Sequence, residues 1–153
     1  RLSSALFRVR GLGRRERASA DRAHALMTTV GLDAYARSTA ASMPYGALKR
    51  LEIARALASQ PKLLLLDEPA AGLNLAETVE IGKLIREIAA SGVTVLLVEH
   101  NMRLVMEISD RVLVLDRGQL LADGTADEVR ADPQVVRAYL GTRAAEARES
   151  LCA

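Results

Sequence analysis

Four consecutive leucines, Leu63 to Leu66, run directly into the triplet Asp67-Glu68-Pro69, and this stretch constrains the fold more than any other. An apolar run without alternation predicts a strand that is buried on both faces, as in a parallel sheet. Pro69 ends the strand because it has no N–H for a ladder hydrogen bond. The two acids then lie at the carboxyl edge of the sheet, where open α/β folds bind ligands. Taken alone, the triplet is equally compatible with a solvated turn.

A second apolar run, residues 93–98, also ends in polar side chains, Glu99 and His100. The carboxyl ends of neighbouring parallel strands share one edge of a sheet. Two runs that both end in groups able to handle phosphate, magnesium and water therefore favour a nucleotide-hydrolysis site over two unrelated turns. A lone histidine is more often structural, so His100 gains its functional interpretation only from this context.

The remaining sequence alternates helical and extended patterns. Asn74 with Glu77 three residues later predicts a capping box at the start of a helix. Asp116-Arg117-Gly118 between two apolar runs predicts a β-hairpin. Apolar periodicity and stop signals predict helices over 19–30, 44–59, 75–90, 101–109, 126–130 and 133–140, with a short turn at 33–37. This order predicts an α/β fold with a mostly parallel sheet, which is only part of a doubly wound one.

Composition excludes several classes of protein. The 153 residues carry a net charge of +2 and only 3% aromatics, so neither a nucleic-acid surface nor a base-stacking platform is expected. The single cysteine, Cys152, excludes a disulfide framework and suits a reducing cytoplasm. No apolar run approaches the roughly 18 residues of a membrane span. The arginine-rich residues 1–17 are interpreted as a solvated or partner-facing surface, and His24 as a surface side chain of its helix.

Several of these segments, in this order, resemble the motifs of ATP-binding cassette (ABC) ATPases. The matching segments are Tyr45-Gly46 (signature motif), Leu63 to Pro69 (Walker B), Ala71-Gly72-Leu73-Asn74 (D-loop) and Val98-Glu99-His100 (switch histidine). The resemblance covers about residues 18–141. At a finer level the chain is similar to the ATP-binding subunits of branched-chain amino acid importers. The segments that carry this finer similarity are 50–57, 70–74 and 138–141.

The resemblance implies an α/β fold that is the C-terminal part of a P-loop NTPase domain. It divides the chain into part of the helical subdomain (1–60), part of the ATPase core (61–141) and a flexible tail (142–153). ATP and Mg²⁺ are the implied cofactors. Asp67 would hold Mg²⁺ through water, because magnesium keeps most of its hydration shell. Glu68 would be the general base, and His100 would donate to the γ-phosphate or bridge to Glu68.

The signature turn, defined as residues 44–47, departs from the pattern of the family. In the family this turn covers the ATP held by a second subunit. Pro44 replaces a serine that commonly contacts phosphate, and Ala47 replaces a glutamine. These changes leave mainly the backbone of Tyr45, Gly46 and Ala47 for the nucleotide, although an ordinary proline-started helix is the alternative. Asn74 replaces the usual aspartate of the D-loop, and it could both cap a helix and reach across a dimer.

The implied partners are a second ABC ATPase subunit, identical or different, and membrane-spanning permease subunits. The protein would then be peripheral at the cytoplasmic face of the cell membrane, without a span of its own and without nucleic acid. Two alternatives remain open. One is a non-transport ATPase of the same fold. The other is a catalytically inactive module that pairs with an intact subunit.

A phosphate cradle of the form G-x-x-x-x-G-K-[ST] is the motif that this sequence does not contain. Its three lysines are Lys49, Lys62 and Lys83, and Gly82-Lys83 is followed by Leu84 inside a predicted helix. The glutamine loop of the family is missing as well. Since the sequence also lacks an initiating Met, we expect it to be a piece of a longer ATPase subunit, with exposed apolar edges and poor solubility.

From the missing cradle we predict that the 153-residue chain does not bind ATP measurably, although the longer subunit hydrolyses it. Titration calorimetry of the chain with ATP and Mg²⁺ should give no binding heat above dilution. Tight binding in that titration would contradict the prediction.

Overall fold

A computed structural model describes the backbone of residues 2–138 and the side chains of residue 13 and residues 15–138. The chain divides into two compact units, an amino-terminal unit that ends at Val98 and a carboxyl-terminal unit that begins at Glu99. The predicted boundary near residue 60 separates the two subdomains implied by the family resemblance, not these compact units, and it stays a prediction. The predicted tail, 142–153, lies outside the described residues.

The amino-terminal unit is built from three helices, two short 3₁₀ turns and two strands. In chain order these are α1 (Leu2–Thr29), the turns Asp33–Tyr35 and Ala40–Ser42, α2 (Tyr45–Leu57), β1 (Leu63–Asp67), α3 (Leu75–Ala90) and β2 (Thr94–Val98). The predicted boundaries agree within one or two residues except for α1, which begins at Leu2 and not at Ser19. Arginine, leucine and alanine are strong helix formers, so α1 continues through a segment whose described side chains are exposed, as that of His24 is.

Strands β1 and β2 pair in parallel, as predicted, with Leu65 opposite Leu96 and Asp67 opposite Val98. One face of the pair is covered: Leu64 is buried, and α3 contacts β2 and buries its own apolar face. The other face is not. Leu63, Leu65, Leu96 and Val98 are between 52% and 65% exposed. The prediction that β1 is buried on both faces is therefore wrong for this chain, because α3 covers only one side of the two-stranded sheet.

The carboxyl-terminal unit contains α4 (Met102–Ile108), β3 (Val112–Asp116), β4 (Gln119–Gly124) and α5 (Ala126–Ala131), followed by helical residues at 133–138. The predicted last helix extended to Leu140, and its final two residues lie outside the described range. β3 and β4 are antiparallel. Their turn has positive φ at Arg117 (48°) and Gly118 (78°), as a two-residue type I′ hairpin requires. The predicted hairpin is thus confirmed.

The core of this second unit consists of valines from both sheet and helices. Val112, Val114, Val129 and Val135 are buried together, with partly buried neighbours from α4, β4 and α5 around them. The alternate residues of the hairpin, Leu113, Leu115 and Leu120, are more than half exposed. Each unit, taken separately, therefore exposes apolar side chains on a face of its strands. The predicted apolar edges and poor solubility stay predictions. Among the residues that the structure describes, no helix is both long and apolar enough to span a bilayer.

Two carboxylates of the second unit are stabilised in their ionised form. The guanidinium of Arg111 donates two hydrogen bonds to Asp123, Nε to Oδ1 and Nη2 to Oδ2, both 2.7 Å long, and these lower the pKa of Asp123. The backbone N–H of Thr125 donates to Glu128 Oε2 at 2.8 Å and, with the Thr125 hydroxyl, lowers the pKa of Glu128. The first contact links the residue before β3 to β4. The second fixes the first turn of α5.

We predict that the carboxyl-terminal unit loses stability in acid. A carboxylate whose pKa is lower in the folded state stabilises the fold above its unfolded pKa, and this contribution disappears as the pH falls through the folded value. The free energy of unfolding should therefore decrease as the pH drops below the ordinary titration range of Asp and Glu.

Urea denaturation over a series of acidic pH values measures this decrease. The variants Asp123→Asn and Glu128→Gln should be less stable at neutral pH and should show a flatter pH dependence. Asp127→Asn is the control, because Asp127 is only in a 3.9 Å ion pair with Arg130 and almost fully exposed. A pH slope unchanged in both test variants would contradict the prediction.

Candidate functional site

The two acids lie where the sequence predicted them, at the carboxyl end of β1. Asp67 is the last residue of the strand and Glu68 follows it, and both residues are exposed. Glu68 has φ of +45°, in the left-handed region that residues other than glycine seldom adopt. Its N–H donates to Val98 O at 2.9 Å, and its carbonyl accepts from Ala71 N–H at 3.1 Å. Backbone hydrogen bonds thus hold Glu68 in this conformation from both sides.

The left-handed conformation of Glu68 has a free-energy cost on the order of 1–3 kcal/mol, and such residues are concentrated at functional sites. β2 contributes to the site by accepting the hydrogen bond that ends the ladder. The parallel pairing of β1 and β2 therefore fixes the backbone from which the Glu68 side chain starts.

Residues 68–74, called here the acid loop, connect β1 to α3. Pro69 and Ala70 are buried, and the Leu73 N–H donates to Ala70 O at 3.2 Å. The loop ends at Asn74, whose side-chain oxygen accepts from Glu77 N–H at 3.0 Å while Glu77 Oε2 accepts from Asn74 N–H at 3.0 Å. The predicted capping box is confirmed, and it fixes the end of the acid loop onto the first turn of α3.

The signature turn begins α2. Pro44 is the N-cap, with extended ψ of 154° and without a side-chain hydrogen bond to the helix. Its carbonyl accepts from the N–H groups of Ala47 and Leu48, both at 3.0 Å. The N–H groups of Tyr45 and Gly46 precede these first helical bonds. Since the N–H of Ala47 is used inside the helix, the backbone donors that remain from the predicted set are those of Tyr45 and Gly46, of which Gly46 is itself buried.

The signature turn and the acid loop lie against one another. A Cβ added to Gly72, which has φ of +77°, would be 3.0 Å from Cε1 of the Tyr45 ring. A Cβ added to Gly46 would be 2.6 Å from Oε1 of Glu77. The amino-terminal unit thus brings the segment that follows Asp67 and Glu68 into contact with Tyr45 and Gly46, two residues that the sequence assigned to the same site.

Glu77 and Gly72 are the members of this contact that sequence reasoning missed. Glu77 was assigned only to the helix cap, and Gly72 only to the D-loop. Neither pattern carries a signal for a contact with α2, since the contact depends on how two helices about thirty residues apart are packed. Gly46 itself was a hint, because a glycine has no Cβ and so allows another segment to approach the helix closely.

His100 belongs to the carboxyl-terminal unit and is exposed. It lies in the short connection between β2 and α4. In this connection Asn101 N–H donates to Glu99 Oε2 at 3.4 Å, and Asn101 Oδ1 accepts from Leu104 N–H at 3.2 Å to cap α4. Glu99 therefore has a local structural role. The role of His100 toward the phosphate or Glu68 stays a prediction.

Among the described residues no group of three or more His, Cys, Asp or Glu side chains could enclose a metal ion. The role of Asp67 toward Mg²⁺ stays a prediction. Mg²⁺ that arrives with a nucleotide is held by phosphate oxygens, water and only one or two carboxylates. An exposed carboxylate at the end of a strand provides one such group.

Comparison with known proteins places these features in a family context. Residues 4–71 match the family model described as ABC transporter. Residues 119–145 match the one described as branched-chain amino acid ATP-binding cassette transporter. Among solved structures, the ADP conformation of an ATP-binding cassette of an ABC transporter aligns with a TM-score of 0.73 and 31% identity. That alignment covers 79% of this chain and 49% of the other. The predicted α/β fold of a P-loop NTPase is confirmed by this likeness.

Three curated relatives are similar over most of the chain. The high-affinity branched-chain amino acid transport ATP-binding protein LivG of Salmonella typhimurium is 46% identical over 92% of this chain and 55% of its own length. The corresponding protein BraF of Pseudomonas aeruginosa is 44% identical over 89% of this chain and 54% of its own. The lipopolysaccharide export system ATP-binding protein LptB of Escherichia coli is 39% identical over 79% and 50%. The chain therefore spans about half the length of the curated relatives it matches.

Proposed function

The chain belongs to the ABC transporter family of ATPases, and from this premise we propose that it forms part of the ATP-binding subunit of an importer. The observation that carries the proposal is the contact between the signature turn and the acid loop. This loop begins at the exposed acids that end β1. Walker B, D-loop and signature residues then act at neighbouring positions of one surface.

Branched-chain amino acids are the proposed solutes. LivG and BraF carry branched-chain amino acid transport in their names, and both are more than 40% identical to this chain. The match of residues 119–145 lies in β4, α5 and beyond, outside the residues of the ATP site, and it favours the same solute class. The similarity to LptB makes an export ATPase the second candidate, but at lower identity and coverage.

Each proposed catalytic residue has a separate task. Phosphoryl transfer depends mainly on positioning and on neutralising charge. Asp67 would hold the hydrated Mg²⁺, which neutralises phosphate charge. Glu68 would accept a hydrogen bond from the attacking water and orient it, and His100 would donate to the γ-phosphate. The backbone N–H groups of Tyr45 and Gly46, at the positive end of α2, would bind the phosphates of ATP held by the second subunit.

The uncovered apolar side chains indicate what the chain requires from its partners. Leu65 and Leu96 are adjacent on the open face of the parallel pair, and contiguous exposed apolar surface of this kind is usually covered in a functional assembly. We assign this face to further parts of the ATPase core, including the phosphate cradle. A second ATPase subunit and membrane-spanning permease subunits complete the proposed assembly, which is peripheral at the cytoplasmic face of the membrane.

We predict that Glu68→Gln in the ATPase subunit that contains this sequence lowers kcat for ATP hydrolysis by about 10²–10⁴, the usual contribution of a positioned base. ATP binding should be retained, since glutamine has nearly the same size and keeps an oxygen acceptor. Phosphate release and nucleotide binding measured on the same preparation separate the two effects.

Glu87→Gln is the matched control for this measurement, because Glu87 is an exposed carboxylate on α3 outside the site. It should hydrolyse ATP at the rate of the unmodified subunit. Glu68→Gln hydrolysing ATP at that same rate would reject the proposed role of Glu68.

A further inference from the structure

Two pairs of residues join α2 to α3, one helical turn apart on each helix. Gly46 lies against Glu77 at the start of both helices. Arg50 Nη1 donates to Glu80 Oε2 at 3.2 Å one turn farther along. Since residues three and four apart share a helix face, both pairs lie on one face of α2 and on one face of α3. They bring the start of α2 close to the start of α3.

Glu77 has two tasks at once in this contact. Its Oε2 accepts the Asn74 N–H and so closes the end of the acid loop. Its Oε1 fills the space beside Gly46, where a Cβ would be only 2.6 Å away. Moving the carboxylate away from Gly46 would disturb its hydrogen bond to the Asn74 N–H. Conversely, Gly46 cannot gain a side chain without moving the carboxylate, even though alanine is preferred over glycine in helices by about 1 kcal/mol.

The Tyr45 ring adds a second connection between the same two segments, because it packs beside Gly72 in the middle of the acid loop. The Lys49 ammonium, which belongs to α2 itself, lies 5.7 Å from the centroid of the same ring. The signature turn thus contacts the acid loop and its cap at two points. Tyr45 packs beside Gly72, and Gly46 lies against Glu77, whose side chain caps the end of the loop.

We propose that Glu77 is a positioning residue for the signature turn, linking the placement of Gly46 to that of the acid loop in the same chain. Its catalytic consequence rests on the proposed function: if the signature turn of one subunit covers the ATP held by the other, Glu77 influences hydrolysis at the partner's ATP. A displacement of the acid loop after Glu68 is then transmitted to the partner's site through the cap and Gly46.

Amide hydrogen exchange on the 153-residue chain tests the contact itself. The Leu48 N–H reports on the first turn of α2, since it donates to Pro44 O. Glu77→Ala should accelerate its exchange by roughly fivefold, the effect expected from losing an interaction as strong as a helix cap. Glu77→Gln should restore slow exchange, because glutamine also completes a capping box.

The double variant Gly46→Ala/Glu77→Ala separates a direct contact from two independent effects. If the contact is direct, the methyl group introduced by Gly46→Ala occupies space left by the carboxylate, and the double variant exchanges more slowly than the product of the two single effects. Strictly multiplicative effects would overturn the proposal, as would unchanged exchange in Glu77→Ala.

Mixed dimers of the whole subunit test the catalytic consequence. Pairing a copy that carries both Glu68→Gln and Glu77→Ala with an unmodified copy leaves only the unmodified copy's bound ATP competent, and that ATP is covered by the altered turn. Hydrolysis should fall by up to about a hundredfold relative to the same dimer with Glu77 intact, since misplacing a positioning group by about 1 Å can cost that much.

The matched control carries Glu77→Ala in one copy and Glu68→Gln in the other. The competent ATP is then covered by the unmodified turn, and Glu77→Ala can act on it only through the acid loop of its own copy, so hydrolysis should fall much less than in the first arrangement. Equal losses in both arrangements would overturn the proposal and indicate a general defect in folding. An unmodified dimer without ATPase activity would instead reject the proposed function, and the exchange measurement would still decide whether Glu77 positions the turn.

Discussion

The parallel pairing of β1 with β2 is the constraint on which the rest of the site depends. It continues one residue past the strand, where Glu68 N–H donates to Val98 O. That bond holds Glu68 with a positive φ and so directs the chain away from the sheet immediately after Asp67. This bend, together with Pro69, which cannot continue the ladder, lets the acid loop return to contact α2. The local strain at Glu68 is offset by the two backbone hydrogen bonds that surround it.

The second constraint is how the backbone N–H groups at the starts of α2 and α3 obtain hydrogen-bond partners. α3 begins with a reciprocal capping box, whereas α2 begins with a proline that offers only its carbonyl. The Glu77 side chain that completes the first cap also limits what can stand at Gly46. The candidate site is therefore a property of two neighbouring helix starts, and the contact between Gly46 and Glu77 relates the acid loop to the signature turn inside one chain.

Much of this arrangement could be predicted from sequence because its signals are local. The leucine run, the proline after it, the Asn74–Glu77 spacing and the Asp116-Arg117-Gly118 turn each determine a structure within a few residues, and each was found. The amino-terminal half of α1 was not predicted, because the arginines of residues 1–17 were interpreted as a solvated or partner-facing surface and not as helix formers. The burial of β1 was predicted wrongly, because a leucine run indicates how a strand is covered in a complete fold. Here one face of the sheet is open.

The contacts between elements could not be read from the sequence. Gly46 against Glu77 depends on the packing of α2 on α3, and the use of the Ala47 N–H depends on the conformation of Pro44. The most direct test of the whole account is a crystal structure of the Glu68→Gln subunit, as a dimer, with ATP and Mg²⁺. We expect Asp67 beside the hydrated ion and the N–H groups of Tyr45 and Gly46 of one copy at the phosphates bound to the other. Phosphates bound away from Asp67, with the signature turns facing solvent, would contradict it.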